Sequence, residues 1–192
     1  MTDKSQAPND TPMTASEVID LLGLVPLPEE GGFYNETFRS PMVLGAEGLP
    51  DDYDGTRNAS TTIYFLMTPE EHSAWHILPS DEVFHHYTGD PVAMLLLPPE
   101  GAATQLRLGP DLRAGERPQA IVPGNTWQAC RLADREADTP SLGWALLGCN
   151  VAPGFDFKDF HVATPHEVDG LAARFSQVAE EVRRLAPRND PP

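Results

Sequence analysis

Basic residues are scarce in this chain, whereas acidic ones are abundant. Among 192 residues, 13 lysines and arginines stand against 29 aspartates and glutamates, which gives a formal net charge of −16. A protein that binds nucleic acid or an anionic membrane needs a basic surface, and the sequence shows none. We therefore expect neither partner.

Long apolar runs are also absent. No stretch approaches the ~18 apolar residues of a membrane-spanning helix. Residues 1–13 are polar and broken by proline, without the apolar core of a signal peptide. We expect a cytoplasmic protein with a disordered tail over 1–13, one domain over 14–187 and a second tail over 188–192.

Cysteine is rare too. Cys130 and Cys149 are the two cysteines of the chain, and they lack the C-x-x-C spacing of redox and zinc motifs. Both stand in apolar segments, which predicts buried free thiols.

Short strands dominate what is present. About ten runs rich in β-branched and aromatic residues are separated by glycine and proline turns, among them 60–67, 91–97 and 141–151. This spacing, without helices between the strands, predicts an all-β sandwich or barrel. If the run over 33–39 is one regular strand, Glu36 and Arg39 lie on opposite faces.

Helices are expected only at the two ends. Thr14 and Glu17 form a capping box for a short N-terminal helix that Gly23 ends. Over 166–187 the apolar residues recur every three or four positions, which predicts one C-terminal helix.

The densest group of reactive side chains lies between two predicted strands. The segment 73–97 holds three of the six histidines, His76, His85 and His86, together with Asp81 and Glu82. Imidazole and carboxylate groups this close in sequence indicate a site for acid–base chemistry or metal binding.

Five sequence blocks in order resemble one known family. EGGFYNETFRS, STTIYFLM, the 76–89 block, GERPQAIVPGNTWQA and GCNVAPGFDFKDF, from about residue 30 to 160, are similar to the cupin-5-type family of cupin proteins. The resemblance implies a double-stranded β-helix (jelly-roll) fold, usually as a homodimer, similar to sugar-nucleotide epimerases.

The cupin motifs are matched in part. Glu82 and Gly89 keep the Glu–Gly spacing of the first motif, where His76 is the histidine before the glutamate. In the second motif Pro123 is present, but Gln128 stands in the place of a histidine ligand. His161 stands where relatives usually carry an acid.

Three functions remain open. In the first, one divalent transition metal is held by His76, Glu82 and one of His85 or His86, of which strand parity favours His86.

In the second, chemistry without a metal acts on a sugar or nucleotide-sugar, as in an epimerase or isomerase. His76 or His85 with Asp81 or Glu82 serves as the base, and Tyr64 or Tyr87 as the acid.

In the third, the barrel binds a small polar molecule and catalyses nothing. The expected cavity is lined from the strands over 60–67, 76–87 and 121–130. Other candidate ligand-binding residues are Glu36, Arg39, Asp81, Trp127 and Gln128.

Overall fold

The computed structural model describes residues 11–135 and 139–188. These residues contain three α-helices: α1 (Ala15–Leu22), α2 (Pro165–Arg174) and α3 (Ala179–Arg184). The strands, in chain order, are β1 (Val25–Pro26), β2 (Phe33–Arg39), β3 (Val43–Leu44), β4 (Arg57–Asn58), β5 (Thr61–Met67), β6 (Ser73–Ile77), β7 (Asp81–Gly89), β8 (Val92–Leu97), β9 (Thr104–Leu108), β10 (Gln119–Val122), β11 (Trp127–Leu132), β12 (Ala145–Ala152) and β13 (His161–Val162). Short 3-10 helices cover Ala46–Gly48, Phe157–Asp159 and Ser176–Val178.

Two antiparallel sheets form the body of the fold. The first has the strand order β1-β2-β5-β12-β7-β10, and the second has the order β13-β6-β11-β8-β9. Strands β3 and β4 form a separate pair. Sequence neighbours such as β6 and β7 lie in different sheets, so the chain crosses repeatedly between them. The predicted all-β fold of the jelly-roll type is confirmed.

The main core lies between the sheets. Phe65, Phe84 and Leu147 of the first sheet pack against Met94 and other apolar residues of the second. Because side chains alternate along a strand, every second residue of β5, β7, β8 and β12 faces this core.

Helices cover the outer faces of both sheets. Leu95 and Leu97 of β8 point outward and pack in one cluster with Leu171 of α2 and Val182 of α3. On the other sheet, Val18 of α1 packs with residues of β5 and β12. Strand β8 is therefore buried on both faces, which explains its unbroken apolar sequence.

The N-terminal helix has the predicted ends. Thr14 Oγ1 accepts a hydrogen bond from the backbone N–H of Glu17, whose carboxylate accepts one from Thr14 N. Gly23 ends the helix with a left-handed φ of 62°.

The prediction of a single C-terminal helix is wrong in one respect, because the structure has a break within it. The chain leaves the helical conformation at Phe175, with φ −106° and ψ 57°, and α3 begins after a 3-10 turn. Neither glycine nor proline stands at this break, so the sequence carries no signal for it. The apolar stripe still packs as one face, since Leu171, Val182 and Leu185 share a cluster.

Three further expectations concern the tails, a membrane-spanning helix and the cysteines. The predicted tails fall largely on residues 1–10 and 189–192, which lie outside the described residues. Among the residues described, no helix has the length and apolar character needed to cross a membrane. Both cysteines are buried free thiols, as predicted.

Candidate functional site

A cavity of about 140 Å³ opens at one end of the two-sheet body. It is lined by side chains of β2, β5, β7 and β12 from the first sheet, by His76 from the second, and by three phenylalanines that follow β12. The lining residues are Leu27, Glu30, Tyr34, Glu36, Arg39, Thr61, Ile63, Phe65, His76, Leu78, Glu82, Phe84, Cys149, Val151, Phe155, Phe157 and Phe160.

Glu82 faces the cavity from β7. It is 6% exposed, and its Oε2 accepts a hydrogen bond of 2.7 Å from Nε2 of Gln128 on β11. Gln128 lies behind Glu82 and is itself buried. The residue in the place of a cupin histidine ligand therefore holds a carboxyl group in position.

His76 lines the same cavity from β6, opposite Gln128 in the strand register. Its Nδ1 lies 2.9 Å from the carbonyl oxygen of Ala74. Because a carbonyl oxygen only accepts, Nδ1 carries the proton, and Nε2 of the neutral ring keeps a lone pair. Burial lowers the pKa of His76, while the charge of Glu82 acts in the opposite direction.

Glu30 is a third titratable group at the cavity, contributed by the turn before β2. Gly31 has φ 95°, and a Cβ there would lie 2.5 Å from the carbonyl oxygen of His72, so only glycine fits this turn. The turn brings Glu30 inward, where Oε1 accepts a hydrogen bond of 2.7 Å from Ser73 and lies 3.8 Å from Nδ1 of His76.

Burial sets the charge of both carboxyl groups. It raises the pKa of Glu30 to about 8, against a smaller lowering by the Ser73 hydroxyl. It raises the pKa of Glu82 to about 7, against the lowering by His76. Near neutral pH the cavity therefore holds groups that can both give and take a proton.

Aromatic rings form the mouth of the cavity. The rings of Phe155 and Phe157 meet edge to face with centroids 5.0 Å apart, and Phe160 lies 5.4 Å from the ring of His76. Phe157 is 54% exposed. The cavity thus has an aromatic entrance, and its lining combines apolar side chains with Glu30, His76 and Glu82.

Glu36 and Arg39 lie beside this mouth and bind each other. Nε and Nη2 of Arg39 donate to the two carboxylate oxygens of Glu36 over 2.9 and 2.7 Å. The strand register shifts between Glu36 and Phe38, and this bulge turns both side chains to one side. The strand is therefore not regular here, and Glu36 and Arg39 do not take the opposite faces that a regular strand would give them.

A buried ion pair holds the chain segment that forms the mouth. Arg57 and Asp159 bind each other through two hydrogen bonds, with side chains 1% and 5% exposed. Nη1 of Arg57 also donates to the backbone carbonyls of Asp54 and Thr56. The pair anchors the segment that carries Phe157 and Phe160.

Two predicted catalytic residues lie away from the cavity. Tyr64 alternates with Ile63, which lines the cavity, and so it points to the outer face of the first sheet. His85 alternates with Phe84 in the same way, and its ring stacks on Tyr87 at 6.4 Å. Tyr87 also contacts Tyr64, so these three rings share the outer face. The geometry gives none of them a place at the cavity.

Other candidate residues have structural contacts elsewhere. Trp127 packs against the C-terminal helices. Asp81 is exposed and accepts a hydrogen bond from the backbone N–H of Gly124. His161 is half exposed and contacts Glu167 at 2.9 Å. The strands over 121–130 were expected to line the cavity. Of their residues, Gln128 contributes to the site, and it does so through its hydrogen bond to Glu82.

The proposed metal ligands do not converge. His86 faces the same side of β7 as Glu82, but four residues along a strand span about 13 Å. Nε2 of His86 instead contacts the carbonyl oxygen of Asp90 at 3.0 Å. Within residues 11–135 and 139–188, no group of three His, Cys, Asp or Glu side chains is placed to hold a metal ion. The donor set at His76, Glu82 and Gln128 therefore does not fit the metal that cupins commonly carry.

Two cavity residues were missed by the sequence analysis. Glu30 stands in a loop, and only the glycine pair that follows it marks a sharp turn there. Tyr34 is the tyrosine that lines the cavity, but Tyr34 and Tyr64 both stand in alternating strands. A sequence pattern does not say which face of a strand is inward.

A family model described as "Cupin superfamily (DUF985)" matches residues 16–163. An uncharacterized protein of Saccharomyces cerevisiae is 32% identical over 135 residues. That match covers 68% of this chain and 66% of the yeast protein.

Solved structures agree with this assignment. A hypothetical protein from Leishmania major is 33% identical, with a TM-score of 0.78, over 92% of this chain and 100% of that one. A protein from Shewanella oneidensis is 32% identical, with a TM-score of 0.75, over 92% and 99%. A cupin 2 conserved barrel domain protein from Rhodopseudomonas palustris, 13% identical, has a TM-score of 0.53 over 86% and 90% and shares the fold alone.

Proposed function

The chain belongs to the DUF985 family of the cupin superfamily, and from this membership we propose that its cavity binds a small organic molecule and transfers a proton on it. The reaction is that of an epimerase or isomerase, in which a proton leaves and returns to a carbon next to a carbonyl group. The proposal uses His76, Glu82 and Tyr34.

One observation carries the proposal. A neutral histidine with a fixed tautomer and a carboxyl group with a pKa of about 7 line the same small cavity. A general base and a general acid work best when their pKa values lie near the working pH, and burial produces such values. A structural role for these groups would not require that both face open space.

The steps follow from the protonation states. The lone pair of His76 Nε2 takes the proton from carbon, and the electrons of the C–H bond move into the carbonyl group. The protonated carboxyl group of Glu82 gives its proton to the carbonyl oxygen, which yields a neutral enol. As carbon takes up a proton, the enol O–H returns its own proton to the carboxylate of Glu82. A proton delivered to carbon by His76 restores the substrate. A proton delivered to the opposite face by Tyr34 gives the epimer, and the resulting tyrosinate regains a proton from protonated His76 through solvent.

The size of the cavity limits the part of the ligand that it encloses. An apolar cavity of roughly 150 Å³ in a protein holds a benzene molecule, so about 140 Å³ holds one six-membered ring. A compact carbonyl compound of about the size of benzene meets this limit, and a sugar would place only part of its ring and hydroxyl groups inside. The nucleotide portion of a nucleotide-sugar would have to remain outside the mouth.

Solvent exchange tests the proposal without a known product. A thermal-shift screen of sugars and small carbonyl compounds selects ligands, and each ligand is then incubated with the protein in D₂O. Proton NMR should show loss of the signal of the hydrogen next to the carbonyl group with the wild-type protein and with Glu70→Gln, an exposed control. The His76→Gln variant, checked for folding by circular dichroism, should show none. Ligands that bind without exchange would support a binding protein instead.

A further inference from the structure

We propose that the ligand of this cavity is a small organic cation, an ammonium group flanked by apolar atoms. The inference rests on the proposed function only in that it assigns a ligand to the same cavity. It is carried by the balance of charged groups, by one unpartnered carboxylate oxygen and by the aromatic mouth.

Acidic groups outnumber basic ones around the cavity. Three glutamates line it, against one arginine and one histidine. The titratable side chains that face it are Glu30 from the turn before β2, Tyr34, Glu36 and Arg39 from β2, His76 from β6, Glu82 from β7 and Cys149 from β12. An added positive charge would balance Glu30 and Glu82 when they ionise and would favour their ionised forms, whereas an added negative charge would be repelled by them.

Arg39, the arginine at the mouth, already has hydrogen-bond partners within the protein. Arg39 donates two hydrogen bonds to Glu36, and its Nη1 donates to Asn58 and to the carbonyl oxygen of Phe155. The paired Glu36 cancels its charge. Arg39 is therefore a poor site for the phosphate or carboxylate of an anionic ligand.

Glu30 has no lysine or arginine among the described residues to balance its charge, and the nearest basic side chain, His76 at 3.8 Å, is a neutral imidazole. It is 9% exposed, and Ser73 donates to its Oε1. Among the described residues no group donates a hydrogen bond to its Oε2, and no lysine or arginine forms an ion pair with Glu30 or Glu82. The ionised form of Glu30 therefore lacks a strong countercharge in the protein, and in this cavity a cationic ligand can supply it.

The aromatic lining suits the same ligand. Tyr34, Phe65, Phe84 and the three phenylalanines of the mouth all line the cavity. The electron-rich faces of such rings attract a cation, and the attraction strengthens when the cation loses its water. Apolar atoms around the charge would fill the remaining lining.

A series of isosteric probes separates charge from shape. Choline, 3,3-dimethyl-1-butanol and 3,3-dimethylbutanoate share one branched end and carry charges of +1, 0 and −1. Their affinities for the whole chain are measured by isothermal titration calorimetry at pH 7.5. We expect choline to bind about tenfold or more tightly than the alcohol, and the carboxylate to bind most weakly.

Two variants locate the binding. Glu30→Gln should lower the affinity for choline about tenfold, while Glu70→Gln, which removes the same charge from the surface, should leave it unchanged. Circular dichroism confirms that both are folded. Choline that binds no better than the alcohol, or not at all, overturns the inference, and so does equal binding by Glu30→Gln.

The outcome is independent of the proton-transfer assay. Selective binding of choline with no solvent exchange on any ligand would contradict the proposed reaction and leave the cation inference standing. Exchange on a neutral ligand together with no preference for choline would do the opposite.

Discussion

Gln128 donates a hydrogen bond from Nε2 to Oε2 of Glu82 over 2.7 Å and so joins the two sheets at the base of the cavity. Its own Oε1 is buried without a partner among the described residues. The unsatisfied oxygen costs stability, and the hydrogen bond from Nε2 offsets part of that cost. Glu82 is the group that Gln128 holds.

Replacing Gln128 by leucine should remove this support. The carboxyl group of Glu82 would lose its amide donor, which raises its pKa further and destabilises the fold by about 1–3 kcal/mol. Urea unfolding at pH 7 measures the change. Gln119→Leu, on an exposed position of β10, is the matched control and should change stability by less than about 0.5 kcal/mol. Equal effects at both positions would contradict the role given to Gln128.

The raised pKa of Glu30 predicts how stability depends on pH. Because its pKa is about 8 in the folded protein and near 4.5 when unfolded, the folded state binds more protons between these values, and stability falls as the pH rises through this window. Glu30→Gln does not titrate, so at pH 8 it should be more stable than wild type by about 1–3 kcal/mol. Thermal unfolding at pH 5 and pH 8 tests this. A variant that is less stable than wild type at pH 8 would speak against a buried, uncompensated acid.

The ion pair beneath the mouth should be costly to break. Asp159→Asn leaves the buried guanidinium of Arg57 without its countercharge, and the expected loss is about 3–5 kcal/mol. The double variant Arg57→Met with Asp159→Asn removes both charges and should lose less than the single change. Urea unfolding of the three proteins gives both values. A loss below about 1 kcal/mol for Asp159→Asn would show that the pair is not buried in solution.

The aromatic mouth should affect binding more than stability. Phe157→Ala removes a half-exposed ring, so choline affinity should fall about 2- to 30-fold, the range of roughly 0.5–2 kcal/mol expected for a cation on an aromatic face. Phe38→Ala removes a ring of similar exposure on β2 that does not line the cavity. Calorimetric titration of both variants should show a loss only for Phe157→Ala. A loss of the same size in Phe38→Ala would assign the effect to general destabilisation.

The fold was predictable because its signals are local. Alternating apolar residues mark the strands, and Thr14, Glu17 and Gly23 mark the first helix by capping chemistry. Five sequence blocks carry the family resemblance. The break at Phe175 was missed because a helix can end there without a residue that disfavours it.

The site was only partly predictable because it depends on which face of a strand each side chain occupies and on the distances between side chains. His76 and Glu82 were identified from their residue types. A shift of one position along a strand reverses the face, which separates Ile63 from Tyr64 and removes the tyrosine from the cavity. The alternation of side chains along a strand placed His86 on the same face as Glu82. It does not give the distance between the two side chains.

Glu30 shows a second limit. It lies 43 residues before Ser73 in the chain, and the two meet only because a glycine turn folds the loop into the body. No spacing rule in the sequence links them.

The central claim is that two uncompensated carboxyl groups lie buried at one cavity, and carboxyl carbon NMR measures it most directly. Protein labelled with ¹³C at the glutamate side chains is titrated from pH 4 to pH 9, and Glu30→Gln and Glu82→Gln assign the two signals. The account predicts midpoints near 8 for Glu30 and near 7 for Glu82, well above those of the other glutamates. Midpoints below about 5 for both groups, close to the ordinary glutamate value of about 4.3, would contradict it.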